Sequence, residues 1–183
     1  MWNNRYCGDV YISGTAPNRF LSKVSNLVKQ GKVLCLGEGG GRNAVYLARE
    51  GYDVSAVNES ALALEKAERL ADKSYVDINT QVVELSQYDI SPKRWNGIVS
   101  IFCQLPSTVR EKLHRKVVVG LKPGGVFIME AYRSDVLASL SQLKKELAGL
   151  EFLHIKEVIR DVHEDGCLKK NAELVQLVAR KPC

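Results

Sequence analysis

The stretch Lys32-Val33-Leu34-Cys35-Leu36-Gly37-Glu38-Gly39-Gly40-Gly41-Arg42-Asn43 decides how the rest of the chain is read. It begins as a short apolar run, the pattern of a parallel strand buried on both faces. It then turns through Gly37, Gly39 and Gly41 and enters a helical pattern over residues 43–50. A turn this tight demands backbone conformations that a Cβ blocks, and it lets a ligand approach the main chain closely. The helix start beyond it offers free N–H groups to anything electron-rich.

A dinucleotide-binding turn is the obvious competitor, but its fingerprint is Gly-x-Gly-x-x-Gly. Counted from Gly37, the third glycine would fall where Arg42 stands. The spacing Gly37, Gly39, Gly41 is the one associated with S-adenosylmethionine (SAM) sites. A tight turn that binds nothing remains the structural alternative.

Upstream, Pro17 suits the first turn of a helix whose apolar face is Phe20, Leu21, Val24, Leu27 and Val28, with Gly31 as its stop. Downstream, the helix after the glycines buries Ala44, Leu47 and Ala48 and stops at Gly51. A second strand follows at 53–57, and Ser60 caps a helix presenting Leu62, Ala63, Ala67, Leu70 and Ala71 inward. Strand three is expected at 79–83 and strand four at 97–102. Thr108 and Glu111 have capping-box spacing for the next helix, which Lys122-Pro123-Gly124-Gly125 breaks before strand five at 126–131. Ser134 caps a helix through Leu147, with Leu137, Leu140, Leu143 and Leu147 facing in.

The chain then changes character. Residues 152–161 and 172–180 read as strands around the turn His163-Glu164-Asp165-Gly166, an antiparallel hairpin. Strand–helix alternation followed by a hairpin implies an α/β, three-layer Rossmann-like sandwich. Its sheet is expected to be seven-stranded and mostly parallel, with one antiparallel strand from the C-terminal hairpin. Ligands of such sheets bind at the carboxyl ends of the strands. The candidate site is therefore Gly37–Gly41, Asn58–Ser60, Glu84–Leu85, Phe102–Gln104 and Tyr132.

At 183 residues the chain is read as a single domain, 1–183. Residues 1–17, with Trp2, Tyr6 and Tyr11, read as an N-terminal flap over the site. A net charge of +5, with the basic residues dispersed, does not indicate a nucleic-acid partner. Five cysteines without a Cys-x-x-Cys pair imply free thiols and no metal site. With no apolar signal core near Met1 and no run of membrane-spanning length, a cytoplasmic location without a membrane partner is expected.

Three stretches resemble the class I SAM-dependent methyltransferases: the glycine turn, Gly51-Tyr52-Asp53-Val54-Ser55-Ala56-Val57-Asn58, and Leu121-Lys122-Pro123-Gly124-Gly125-Val126-Phe127. Trp2-Asn3-Asn4-Arg5-Tyr6, Tyr11, Gly14-Thr15-Ala16-Pro17-Asn18 and the terminal hairpin are similar to the small tellurite-resistance-type (TehB-like) bacterial branch. The resemblance implies SAM as cofactor and S-adenosyl-L-homocysteine (SAH) as product. It implies that Gly37, Glu38, Gly39 and Gly41 border the methionine part and the ribose, with Arg42 near the carboxylate end. Asn58 stands where the family usually has an acid for the ribose hydroxyls, and neighbouring Glu59 is the candidate substitute. Glu84 would meet the adenine amino group, Leu85 would flank the ring, and Ile101, Phe102 and Cys103 would line the pocket near the sulfonium. Cys35 replaces an acid common inside the glycine motif and reads as a small buried hydrophobe.

Methyl transfer from a sulfonium needs a general base only if the acceptor must lose a proton. Tyr11 and His163 are the candidates for contact with an acceptor, whereas His114 and His154 read as structural. The Asp/Asn-Pro-Pro-aromatic motif of nucleic-acid amino-methyltransferases is replaced by Cys103-Gln104-Leu105-Pro106, which argues for a small-molecule acceptor. The functional expectation is therefore a SAM-dependent methyltransferase acting on a small, soft nucleophile. An inactive SAM- or nucleotide-binding protein of the same fold is the alternative, and an NAD-dependent oxidoreductase is a third reading.

Overall fold

The computed structural model describes residues 11–103, 105–133, 139–164 and 167–183. In it the apolar run becomes strand β1, Lys32–Leu36, with Val33, Leu34, Cys35 and Leu36 all buried. Helix α1, Arg19–Val24, precedes it. After it come α2, Arg42–Arg49; β2, Asp53–Asn58; α3, Ala61–Lys73; β3, Asn79–Val82; and β4, Trp95–Ile101. The chain continues through α4, Ser107–Gly120; β5, Leu121–Tyr132; α5, Leu140–Glu146; β6, Glu151–Glu164; and β7, Cys167–Arg180.

The strands form one seven-stranded sheet in the order β3-β2-β1-β4-β5-β7-β6. Strands β1 to β5 are parallel, while β7 is antiparallel to both β5 and β6. Side-chain alternation along each strand feeds two cores. Val33, Cys35, Val99 and Ile128 pack with Leu21 of α1, Leu47 of α2 and Leu64 of α3. Leu34, Leu36, Ile98 and Phe127 pack with Leu113 and Val117 of α4 and Leu143 of α5 on the other face. This is the three-layer α/β architecture expected from the alternation. No helix among the described residues is long and apolar enough to cross a membrane.

Several local expectations shift. Asn18 caps α1, its Oδ1 accepting from the N–H groups of Phe20 and Leu21, so Pro17 lies outside the first turn. The helix ends at Val24 and tightens into a 3-10 turn over Ser25–Leu27. Val28 N–H donates to the Ser25 carbonyl at 3.0 Å to close this turn, the Tyr52 hydroxyl lies 2.9 Å from the carbonyl oxygens of both Ser25 and Val28, and Leu27 is exposed. In α3 it is Leu64, not Leu62, that is buried. Helix α4 begins at Ser107, after Pro106, so Thr108 is already inside it and makes no cap. Ser139 caps α5 instead of Ser134, which with Leu137 lies outside the described residues. The hairpin strands extend to Glu164 and Cys167, so His163 is in a strand rather than a turn; Asp165 and Gly166 are outside the described residues. Of the expected flap, residues 1–10 are likewise outside them.

Two buried carboxylates tie the elements together. Glu130, near the C-terminal end of β5, has no exposed surface. Asn18 Nδ2 and Gln176 Nε2 each donate to it at 2.6 Å, and Arg160 donates through Nη2 at 2.5 Å and Nε at 3.3 Å. One carboxylate therefore joins the cap of α1, the central sheet and both hairpin strands. Glu146 of α5 does the same for the opposite face. Arg110 of α4 donates to it through Nη2 at 2.9 Å and Nε at 3.1 Å, and His114 Nδ1 lies 2.7 Å away. Burial pushes the Glu146 carboxyl up, but the hydrogen bonds and charges of His114 and Arg110 outweigh it and hold the group at about 2.

Removing the Glu130 carboxylate in Glu130→Ala leaves the Arg160 guanidinium and the Asn18 and Gln176 amides without their shared acceptor, at an expected cost of about 3–5 kcal/mol in urea unfolding. Stability within 1 kcal/mol of the wild type, an order-of-magnitude bound for a neutral surface change, contradicts that role. For Glu146 the folded value lies below the ordinary 4.5, so its contribution is complete above pH 4.5 and is lost as pH falls toward 2. The amount at stake is up to about 3 kcal/mol. The thermal midpoint of the wild type should fall more steeply across that window than that of Glu146→Gln; parallel curves contradict the assignment.

Candidate functional site

Strand order reverses between β1 and β4, so the chain leaves these neighbours toward opposite faces and opens a crevice at their carboxyl ends. A cleft of about 590 Å³ lies there, within the ordinary range of small-ligand pockets. Its wall includes Gly37, Glu38, Gly39, Arg42, Asn58, Glu59, Glu84, Leu85, Ile101, Phe102 and Cys103, all singled out from the sequence. Gly41 lies one step behind the wall, capping α2.

The glycines are demanded by the geometry. Gly37 has φ +65°, and a Cβ there would lie 2.4 Å from Cys103 Sγ. Gly41 has φ +91°, and its Cβ would lie 2.6 Å from the backbone of Ala67 in α3. Any side chain at either position would push the ends of β1 and β4, or α2 and α3, apart. The turn is held from behind. Glu38 N–H donates to Val57 O at 3.1 Å, and the buried Glu38 carboxylate accepts from Asn43 N–H at 3.3 Å. Asn43 Oδ1 accepts in turn from Asn18 N–H at 2.9 Å, which links the glycine turn to the Glu130 cluster.

At the end of β2 the Asn58 amide works within the loop. Its Nδ2 donates to Glu38 O at 2.7 Å and its Oδ1 accepts from Ser60 N–H at 2.8 Å. Asn58 thus braces the glycine turn, and Glu59 is the carboxylate that this loop presents to the cleft. Beyond β3, Glu84 accepts from Ser86 Oγ at 2.6 Å and Gln87 Nε2 at 3.3 Å, while Leu85 is buried beside it.

Past β4, Phe102 takes φ +52°, a left-handed conformation costly for a bulky side chain. Its N–H donates to Glu130 O at 2.7 Å, and its ring meets the Tyr132 ring at a centroid distance of 4.9 Å. Cys103 follows. Burial, offset in part by a hydrogen bond with Ser100, pushes its thiol up to about 12, so it stays protonated and is a poor nucleophile.

Residues Tyr11 to Gly14 line the cleft as a strap. The Tyr11 hydroxyl donates to Lys66 O at 3.2 Å, and Arg42 Nη1 donates to Ser13 O at 2.9 Å. Tyr11 therefore fastens the strap to α3. The other acceptor candidate, His163, is exposed on β6 opposite Leu168 and does not line the cleft. His114 belongs to the Glu146 cluster, and the His154 ring packs 5.6 Å from that of Phe20. Sequence reasoning missed Lys66, the wall formed by Leu105, Pro106 and Val109, and the Glu130 cluster. The one available signal for the last was a carboxylate inside the otherwise apolar run of residues 126–131.

Against known proteins, the family described as "Tellurite resistance protein TehB" matches residues 4–135. A sterol 24-C-methyltransferase of Candida albicans is 28% identical over 152 residues, covering 80% of this chain. The chain spans only 40% of that relative's length. The crystal structure of TehB from Haemophilus influenzae superposes with a TM-score of 0.78 at 22% identity, over 92% of this chain and 63% of that one. A TehB-like SAM-dependent methyltransferase from Corynebacterium glutamicum gives 0.68 at 19% identity, over 98% of this chain and 94% of that one. At these identities the structural likeness establishes the fold, and the family match establishes kinship. The chain belongs to the TehB family, with the fold of the SAM-dependent methyltransferases.

Proposed function

We propose that this chain binds SAM across its glycine turn and transfers the methyl group to a small, soft acceptor, leaving SAH. The observation that carries the reading is the gathering of Gly37, Gly39, Glu59, Glu84 and Leu85 on one wall of one cleft at the reversal of strand order. A protein of the TehB family supplies the context.

The residues fit the cofactor. Close main-chain approach at the glycines suits the methionine part and the ribose. Asn58 is engaged within its own loop, so Glu59 takes the ribose hydroxyls, and a carboxylate there restores the charge-assisted bond that asparagine lacks. Glu84 accepts from the adenine amino group, and Leu85 lies against the ring. Ile101, Phe102 and Cys103 form the floor toward the transferred group. When bound, SAM supplies an activated methyl for in-line displacement.

The protein's share is orientation and exclusion of water. The strained Phe102 fixes one aromatic wall, the Tyr11 strap lines the cleft, and the protonated Cys103 thiol does not compete for the methyl group. No general base is required for a soft acceptor that arrives already deprotonated. The same reading takes residues 1–183 as one catalytic domain with a flap at 1–17. It places the protein in the cytoplasm with a small-molecule partner rather than nucleic acid.

Titration calorimetry with SAM and SAH, and NAD as control, tests this. The expected result is micromolar binding of the first two and none of the third. Gly39→Arg should abolish binding by filling the cradle. Glu59→Gln should weaken SAH about tenfold through loss of the charge-assisted bond. Binding of NAD alone overturns the reading, and SAM binding without turnover of any acceptor makes the protein an inactive relative.

A further inference from the structure

The cleft lies at the carboxyl ends of the parallel strands, and the amino ends of the same strands form the opposite end of the molecule. Lys32 opens β1, Lys93 and Arg94 precede β4, Lys122 stands at the start of β5, and Lys181 follows β7, which runs the other way. Residues so far apart in the chain read as dispersed charge, but the sheet gathers them. Asn96 Oδ1 accepts from Lys32 N–H at 3.1 Å and from Lys122 Nζ at 3.0 Å, which joins the starts of β1 and β5 across β4. Lys181 exchanges backbone hydrogen bonds of 2.8 Å with Gly124 and Gly125 of β5. The backbone N–H groups of Lys93 and Arg94 donate to the carbonyls of Val119 and Gly120 at the end of α4, at 3.1 and 3.0 Å. Lys29, between α1 and β1, reaches the same place: its Nζ lies 3.8 Å from where a Cβ on Gly124 would stand.

Few carboxylates answer these cations. Asp53 pairs with Lys32 at 3.0 Å, Glu151 starts β6 opposite Arg180, and Glu50 lies at the end of α2 beside Gln30. Asp72 and Asp77 flank the outer strand β3, beyond β2. Among the described residues Lys29 and Lys93 make no ion pair and no side-chain hydrogen bond, while Lys122 and Lys181 give theirs to neutral oxygens, Asn96 Oδ1 and Val118 O. Their charge is therefore uncompensated. Lys29, Lys93 and Arg94 are exposed, and so are two aliphatic side chains beside them, Leu27 at 39% and Val119 at 52%. The neighbouring rings of Tyr52 and Trp95 are buried, the latter with the Arg94 guanidinium 5.2 Å from its centroid. This end thus presents positive charge and aliphatic carbon together.

We propose that this basic end docks on an anionic membrane surface, with the cleft at the opposite end left open to solution. Like charges held together repel one another, and an anionic surface relieves that repulsion while attracting each cation. Lysine stems reach the headgroups, and Leu27 and Val119 stand among the cations where an aliphatic side chain enters the boundary with the acyl chains. Single-stranded nucleic acid, the other common polyanion, is held by exposed rings on which its bases stack, and the rings beside these cations are buried. A protein docked on a surface needs no helix that crosses the membrane. This docking is independent of the SAM reading of the cleft.

Co-sedimentation of the full chain with vesicles tests this. Vesicles of phosphatidylcholine with about one third phosphatidylserine should bind it at least about tenfold more tightly than phosphatidylcholine alone, and salt raised toward about 1 M should release it. The double variant Lys29→Gln/Lys93→Gln should bind about twentyfold more weakly, since each cation near such a surface contributes roughly fivefold. Val119→Ser should cost about threefold through its lost aliphatic contact. Lys156→Gln/Lys170→Gln removes the same charge from the hairpin and should leave binding within about twofold. Thermal midpoints within about 3 °C of the wild type show that every variant is folded. Equal sedimentation with both kinds of vesicle, no sedimentation with either, or an equal loss in the hairpin control overturns the proposal. So does binding that survives Lys29→Gln/Lys93→Gln, or uptake of a mixed-sequence RNA oligonucleotide by a protein that ignores both kinds of vesicle.

Discussion

A carboxylate with no exposed surface cannot stand alone in a protein interior, and Glu130 does not. Its four hydrogen bonds come from Asn18, Arg160 and Gln176, residues of three different segments. Each donor brings something needed at the cleft. Asn18 carries the strap on one side and, through Asn43, reaches the Glu38 carboxylate beneath the glycine turn. Arg160 and Gln176 fix the hairpin that overhangs the opposite rim. The Glu130 carbonyl accepts from Phe102 N–H and so supports the strained residue on the cleft floor. Rigid placement of both rims follows from satisfying one buried charge.

The division of the cleft follows from topology rather than from any single residue. Because β1 and β4 are neighbours that lead to opposite faces, loops after β1, β2 and β3 gather on one side and those after β4 and β5 on the other. The first group is rich in charged and main-chain hydrogen-bonding groups, as an adenosyl and amino-acid ligand requires. Among the described residues, the second offers mainly rings and aliphatic walls. A sheet of this order can therefore keep one half suited to its cofactor while the hairpin and the β4–α4 loop vary the other.

Much of this was legible in the sequence because it depends on local periodicity. The apolar run at 33–36, the glycine spacing and the strand–helix alternation are short-range patterns, and they placed nearly every strand and many of the residues that line the cleft. What escaped depends on partners far apart in the chain. Nothing near Asn18 announces that its amide meets Glu130, or that the Tyr52 hydroxyl reaches the Ser25 carbonyl just past α1. Asn58 read as a weakened ribose ligand, and a sequence does not reveal that its amide also bonds Glu38 and Ser60 within the loop. His163 read as a residue of the active rim because the hairpin turn was placed too early. It is Lys169, across a bulge at Asn171 that depends on cross-strand register, that lines the cleft instead.

The most direct test of the central claim is a crystal structure of the protein grown with SAH. The expected result is density along Gly37–Gly41, with the ribose hydroxyls on Glu59 rather than Asn58 and the adenine between Glu84 and Leu85. An empty glycine turn in crystals grown at saturating SAH, or SAH bound against β5 and the hairpin, would contradict it.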